Sequence, residues 1–351
     1  MTLQDLGYND AIEKFRIQHH LEKLGIGRVV AEHKERYLVR TMQGEVEAEI
    51  SGTMRFTAKD REAFPAVGDW VALTTHDLDT AVIHDILPRF STLKRQAVGQ
   101  FGAVQIIATN IDYAFLVQAA DRDFNINRLE RYLTLCYSSN VKPLIVLTKT
   151  DLIEEPQINA LIDRIKTRIK NVPIIPISSE TKQGYETIEG MIERGKTYCM
   201  LGSSGVGKST LVNNLSGKAL MKTAATSQST NKGKHVTSHR ELILLENGGI
   251  LIDNPGMREV GIADTESGLE TTFNSIVSLA DNCRFKDCTH TVEKGCAVLE
   301  AIEKGTLDKA SYENYLAMQK EKTYFESTVE EKRQKDKDFG KMIKRYKKGR
   351  S

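Results

Sequence analysis

The stretch PLIVLTKTDL, residues 143–152, is an apolar run that closes on Thr148-Lys149-Thr150-Asp151. A short, β-branched apolar run of this kind reads as a buried strand. The four residues that end it differ at one position from the Asn-Lys-x-Asp box with which GTPases select guanine. In that box a strand-ending Asp accepts two hydrogen bonds, from the guanine N1–H and the 2-amino group. Adenine offers no such donor pair, so an unpaired buried carboxylate would penalise ATP. Asp151 is the candidate reader, with the stem of Lys149 lying along the nucleotide. The location of this stretch decides the fold, because a phosphate-binding sequence follows it about fifty residues later instead of preceding it.

That second sequence is MLGSSGVGKST, residues 200–210. It contains Gly202-Ser203-Ser204-Gly205-Val206-Gly207-Lys208-Ser209, a complete G-x-x-x-x-G-K-[ST], and continues into Thr210. It follows the strand-like TYCML and opens a helix, the context that a phosphate loop requires. Glycines let backbone N–H groups turn inward around phosphate oxygens, and the helix N-terminus adds the positive end of its dipole. Lys208 is expected to reach the β and γ phosphates and the Ser209 hydroxyl to ligate Mg²⁺. Downstream, ILIDNPGM (250–257) ends an apolar strand in Asp253, a second Mg²⁺ candidate. Pro255-Gly256 then frees the Gly256 N–H to meet a γ-phosphate. The polar TAATSQSTNKGKHVTSHRE between them reads as a nucleotide-ordered switch. Thr237 is the candidate hydroxyl that closes on Mg²⁺, with Thr230 and Ser238 as alternatives.

Between the two lies VPIIPISSETKQG (172–184), another apolar strand, ending in Ser178-Ser179. GTPases place a serine-alanine loop here that supports the base by backbone contact. The two base-reading loops therefore occur in their own correct order, both ahead of the phosphate loop. An α/β sheet tolerates this if the chain is circularly permuted, since every loop still ends at the same sheet edge.

The flanks read differently. From about Gly27 to Pro88, GRVVAEHKERYLVRT, EVEAEI, DWVALTT and TAVIHDIL are strand-like segments separated by Gly, Asp and Pro. They predict a five-stranded oligonucleotide-binding (OB) barrel, with the single Trp70 read as a core residue in preference to a base-stacking platform. From Asn110 apolar strands alternate with helical patterns, such as Ile126, Leu129, Leu133 and Tyr137 in INRLERYLTLCYSSN. That alternation indicates a mostly parallel α/β sheet. Beyond Leu269 the chain is helical, and residues 308–338 carry no proline or glycine and read as one long helix with a thin apolar stripe. The predicted architecture is an N-terminal extension (1–24), an OB barrel (25–95), a circularly permuted P-loop GTPase unit (105–265), and a helical zinc-binding unit with a basic tail (266–351).

The zinc prediction rests on Cys283-x4-Cys288-x-His290-x5-Cys296. Four soft or borderline ligands in so short a span suit a tetrahedral structural Zn²⁺ with no open position; buried free thiols are the alternative. Five cysteines, an odd number, in a chain whose first residues carry charges where a signal peptide needs an apolar core argue against a disulfide framework and for the cytoplasm. No run of eighteen apolar residues suggests a membrane span. Net charge is +2 overall, yet residues 332–351 hold ten Lys or Arg and two Asp, leaving −6 on the rest. Such a basic end suits phosphate backbones, or is a solvated tail.

Barrel, base box, serine loop, phosphate loop, switch, Asp-x-Pro-Gly and Cys3His site, in that order over about residues 25–310, resemble the circularly permuted bacterial GTPases called ribosome small-subunit-dependent GTPase A. The resemblance is carried by AVGDWVAL, NIDYAFLVQAA, NRLERYL, GKHVTSHRELILLENGGILIDNPGMREVGI and NCRFKDCTHTVEKGCAV. It implies GTP hydrolysis stimulated by the 30S subunit during its late maturation, with barrel and zinc units contacting 16S rRNA and protein; a monomer without a membrane partner is expected alongside it. Departures are Thr148 for Asn, Val236 and Ser238 for switch threonines, and Met257 where many GTPases place a water-orienting Gln. An apolar Met257 predicts slow intrinsic hydrolysis; the resemblance offers His235 as substitute, although a histidine in a basic loop equally suits RNA. The alternatives are an RNA-binding assembly chaperone whose guanine-nucleotide site is purely regulatory, and a P-loop kinase or ATPase if Thr-Lys-Thr-Asp is accidental.

Overall fold

The structure, a computed structural model, describes residues 1–33, 36–76, 79–96, 104–121, 124–217, 241–253 and 266–326. The chain begins with helix α1 (Asp10–Gln18), whose first N–H groups are capped by the Asn9 side chain. Strands β1 (Gly25–His33), β2 (Arg36–Arg40) and β3 (Glu45–Ile50) follow, then the short helix α2 (Gly52–Thr57), β4 (Trp70–Thr75) and β5 (Thr80–Ile86). In β3, Val46, Ala48 and Ile50 are buried while Glu45, Glu47 and Glu49 are exposed, the two-residue period of a strand with one wet face. Pairing runs β1-β2-β3-β5-β4 and returns to β1, with β3 and β5 parallel. This is the closed five-stranded barrel of the OB type. Trp70 is fully buried with Leu6, Ile12 and Leu87 beneath the N-terminal segment, and the Tyr8 ring meets it edge-on at 5.0 Å. It is a core residue.

A hairpin of β6 (Thr92–Gln96) and β7 (Val104–Thr109) comes next. The sequence reading did not anticipate it, because its strands are too short to show a period, although Leu93, Ile107 and Ala108 enter the main core. Then come β8 (Tyr113–Ala119), α3 (Ile126–Ser138), β9 (Lys142–Thr148), α4 (Glu155–Arg168), β10 (Ile174–Pro176), α5 (Tyr185–Met191), β11 (Thr197–Leu201), α6 (Lys208–Ser216), β12 (Glu241–Leu244) and β13 (Ile250–Asp253). They form a sheet in the order β10-β9-β8-β11-β13-β12, parallel except for β12. Strands β8, β9 and β11 are buried on both faces, which requires helices on both. Leu129 and Leu133 of α3 cover one face; Ile188 of α5 with Leu211 and Val212 of α6 cover the other. The strand order reverses between β8 and β11, the switch point at which open α/β sheets form their ligand crevice. In the chain, the half that ends in the base-reading loops precedes the half that carries the phosphate loop.

Barrel and sheet join where Ala31 of β1 pairs with Glu241 of β12. The buried Arg28 guanidinium donates to the carbonyls of Leu6 (2.6 Å), Gly68 (3.1 Å) and Asn110 (3.0 Å), tying the N-terminal segment, the barrel and the start of the sheet together. Burial lowers its pKa to about 10, which leaves it charged at neutral pH.

The C-terminal helices are α7 (Glu266–Thr272), α8 (Asn274–Ala280), α9 (Ala297–Glu303) and α10 (Lys309–Glu326), around Phe273, Ile276, Val298 and Met318. They dock on α3. A Cβ at Gly268 of α7 would stand 2.1 Å from the Thr134 carbonyl, so only glycine permits that crossing. Glu130 of α3, 1% exposed, accepts hydrogen bonds from Arg168 (2.9 Å), Ser311 (3.0 Å) and Asn314 (2.6 Å). The expected continuation of α10 beyond Glu326, and the basic tail, lie outside the described residues. No described helix is long and apolar enough to cross a membrane.

Candidate nucleotide and metal sites

The three loops singled out in the sequence leave the carboxyl ends of the parallel strands β9, β10 and β11. Thr148 is the buried last residue of β9, and Lys149 turns the chain with a left-handed φ of 59°. Such backbone strain at a non-glycine residue concentrates at functional loops. Lys149 Nζ pairs with Asp121 at 3.2 Å. Thr150 is buried, and its N–H donates to the Ile177 carbonyl at 3.3 Å, binding the base box to the next loop. Asp151 is exposed, and its Oδ1 accepts the Ser178 hydroxyl at 2.6 Å. Ser178 Oγ is fixed in turn by the N–H groups of Glu180 (3.2 Å) and Thr181 (3.1 Å). Ser178, expected to support the base through its backbone, thus also engages the Asp151 carboxylate through its side chain. The neighbouring Ser179 hydroxyl meets the Tyr185 hydroxyl at 2.9 Å.

Between β11 and α6 runs the phosphate loop. A Cβ at Gly202 would lie 2.4 Å from the Val117 carbonyl of β8, so the loop can leave the sheet here only without a side chain. Gly207 caps α6 at φ 95°, a conformation that glycine adopts without penalty. Val206 is buried, Ser203, Ser204, Ser209 and Thr210 are half-buried, and Gly205 is exposed at the loop's tip. Lys208 Nζ donates to the carbonyls of Gly202 (2.7 Å) and Ser203 (2.5 Å). The ammonium is thereby held over the loop that would wrap a phosphate.

Thr148 joins the two halves. Its hydroxyl donates to the Val206 carbonyl at 2.6 Å, with the Gln118 carbonyl 3.3 Å away. The residue that stands where GTPases usually carry Asn therefore braces the base box against the phosphate loop. Asp253, buried at the end of β13, lies one residue past the pairing of Ile252 with Cys199 of β11, beside the strand that feeds the loop. A serine hydroxyl and a carboxylate are hard oxygen donors of the kind Mg²⁺ takes. His235, Thr237, Gly256 and Met257, with the alternatives Thr230 and Ser238, lie outside the described residues.

In the C-terminal unit, Cys283, Cys288, His290 and Cys296 place their ligand atoms within 4.8 Å of one another. Cys283 Sγ stands 3.9 Å from Cys296 Sγ, and His290 Nδ1 is 3.5 Å and 3.4 Å from those two sulfurs. A tetrahedral Zn²⁺ with bonds of about 2.3 Å to sulfur and 2.0 Å to nitrogen spreads its ligands about 3.5–3.8 Å apart. The donor set and its spacing therefore fit zinc, and all the cysteines are free thiols. Burial lowers the His290 pKa, favouring the neutral imidazole that a metal ligand must be.

Sequence reasoning missed the residues that hold these groups. Glu293 accepts the N–H groups of Thr289, Thr291 and Val292 and so folds the loop around His290, whose carbonyl takes the Tyr312 hydroxyl at 2.5 Å. These contacts hold the Glu293 carboxyl down at about 2, the Thr289 hydroxyl contributing most. A carboxylate among the ligands of a cysteine cluster is the signal that was available.

Comparison with known proteins extends the reading to about nine-tenths of the chain. The RsgA GTPase family model matches residues 86–263. The small ribosomal subunit biogenesis GTPase RsgA 2 of Listeria monocytogenes serotype 4b is 41% identical over 324 residues, covering 92% of this chain and 90% of that one. The small ribosomal subunit biogenesis GTPase RsgA of Opitutus terrae is 38% identical over 338 residues, again covering 92% and 90%. Among solved structures, YjeQ from Thermotoga maritima matches with a TM-score of 0.62 at 26% identity, covering 84% of this chain and 96% of that one. YloQ, described as a circularly permuted GTPase, matches with a TM-score of 0.62 at 26% identity, covering 89% and 99%. Sequence likeness over nine-tenths of the chain, on a sheet whose base-reading half precedes its phosphate-binding half, makes this protein a member of the RsgA family of circularly permuted GTPases, which bind guanine nucleotide and hydrolyse GTP.

Proposed function

We propose that this GTPase serves biogenesis of the small ribosomal subunit by docking on the 30S particle in its GTP form late in maturation and leaving after hydrolysis. What supports the reading is that Thr148 meets Val206 and Ser178 meets Asp151, which joins the base box, the serine loop and the phosphate loop at one edge of the sheet. The names of the relatives supply the subunit. Asp151 reads guanine, Lys149 and Ser179 support the base, and the 202–210 loop with Lys208 holds the phosphates. Ser209, Thr237 and Asp253 hold Mg²⁺, which when bound offsets phosphate charge, and Gly256 senses the γ-phosphate. His235 is the candidate for orienting water, since Met257 cannot. The barrel (25–95) and the zinc unit (266–351) flank the GTPase unit (105–265) as surfaces for 16S rRNA, in a cytoplasmic monomer with no membrane partner.

The test is phosphate release measured with 30S, 50S and 70S particles at low and high salt. The 30S particle is expected to stimulate turnover by about tenfold or more, an effect weakening with salt where basic residues contact RNA phosphates. Equal rates with and without 30S would sink the proposal.

A further inference from the structure

We infer that Tyr185 and Asn214 are positioning residues for guanine recognition, tying the base-reading loop to the helix that carries the phosphate loop. The inference rests on Asp151 as the guanine reader. Tyr185 opens α5 and is 5% exposed, so its hydroxyl needs partners. It accepts from Asn214 Nδ2 of α6 at 2.7 Å, which leaves its own proton for Ser179 Oγ at 2.9 Å. The orientation of the Asn214 amide is settled by Lys182, whose ammonium donates to Asn214 Oδ1 at 2.7 Å and lies 5.4 Å over the Tyr185 ring. An ammonium has only donors, so Oδ1 must face it and Nδ2 must face the phenol.

The connection therefore runs from Lys208 along α6 to Asn214, through the Tyr185 hydroxyl to Ser179, and across one peptide to Ser178, whose hydroxyl aims Asp151. On the opposite side the Thr148 hydroxyl meets Val206. The nucleotide would thus enter a cleft whose base-reading wall is already braced at two points, avoiding part of the ordering cost of binding. A phenylalanine would fill the same apolar volume; only the hydroxyl makes the brace.

Removing the hydroxyl would loosen Ser178-Ser179 and disorient Asp151, weakening the bonds to the base while leaving the phosphate contacts intact. The test uses the full-length chain and compares Kd for GDP, IDP and ADP, IDP lacking the 2-amino group that Asp151 accepts. Tyr185→Phe is expected to lower the preference for GDP over IDP about fivefold, to raise KM for GTP and to leave kcat unchanged. Asn214→Ala, at the other end of the brace, is expected to do the same, and the double variant to add little to either. Should Tyr185→Phe fail to fold, the half-buried Asn214 carries the same readout. A wild type that binds GDP, IDP and ADP alike would remove Asp151 as reader and this inference with it. A wild type that discriminates, with Asn214→Ala or Tyr185→Phe keeping its ratio, would leave Asp151 in place and overturn the brace alone.

Discussion

In the nucleotide sheet, Thr148, Asp151 and Lys208 follow strands buried on both faces, and Ser178 follows the neighbouring β10. In the C-terminal unit, Cys283, Cys288 and His290 sit in the segment between α8 and α9, which has no helix or strand of its own. Helices α7, α8 and α9 are seven residues each, too short to be stable alone. A sheet can hold its site ready before any ligand arrives, because its core sets the strand ends. Four donors converging within 4.8 Å on an irregular segment form a cluster that a bound cation would hold together.

The strongest way to break that contrast is to remove the metal. Purified protein is expected to carry about one equivalent of zinc, whose binding in small metal modules is worth roughly 10–16 kcal/mol. Stripping it with a chelator, or substituting Cys283→Ser, should expose residues 281–296 to protease and hydrogen exchange while GDP affinity stays largely intact. A zinc-free protein with that segment still protected would show that the α3 contact alone orders it.

Next in size is the contact between the two regions. Glu130→Ala would leave the Arg168 guanidinium, whose side chain is only 9% exposed, with Asn127 at 2.7 Å and Asp308 at 3.8 Å, so the loss should fall below the about 3–5 kcal/mol of a buried pair broken outright. Urea unfolding followed by a probe in each region should show the loss, with the C-terminal unit releasing first. A single unshifted transition would mean that α3 and α10 are held by their other contacts, such as Arg131 with Glu321 at 2.6 Å.

These two contacts also show where the sequence is legible. The Cys3His residues lie within fourteen residues, and the strand at 143–148 announces itself because both of its faces are buried. Long-range polar partners leave no such mark. Thr148 looks like a weakened base box until its hydroxyl is seen to meet Val206, 58 positions away. Glu130 is a lone charge on a helix whose apolar positions are plain, yet it is buried against residues of α4 and α10. The β6–β7 hairpin lacks any period long enough to read, and its place is fixed only by the core it completes.

Within the sheet, two substitutions sharpen the idea of a preformed site. Lys208→Ala removes a charge-assisted contact to phosphate and should weaken GTP binding or turnover about a hundredfold, with little change in the unfolding midpoint. Asp151→Asn exchanges an acceptor for a donor and should lower the preference for guanine by about tenfold while admitting xanthine nucleotides. Unchanged base preference in competition binding would exclude Asp151 as the reader and place guanine selection on other residues.

The smallest expected effect returns to Glu130 and depends on pH. Burial pushes its carboxyl above the ordinary value of 4.5, while Arg168, Asn314 and Ser311 pull the other way. A carboxyl raised in the folded state holds its proton more tightly there than in the unfolded chain. The stability linked to that proton is therefore fully present below about 4.5 and is lost as pH rises through the folded value. Glu130→Gln has no proton to lose, so the stability of the wild type relative to this variant should fall as pH rises from about 4.5 towards neutrality. Subtracting the two profiles cancels the titration of the metal ligands, which is common to both. A difference that grows with pH would mean that the Arg168 ion pair outweighs desolvation, and that the charged carboxylate itself holds the C-terminal unit to the nucleotide sheet.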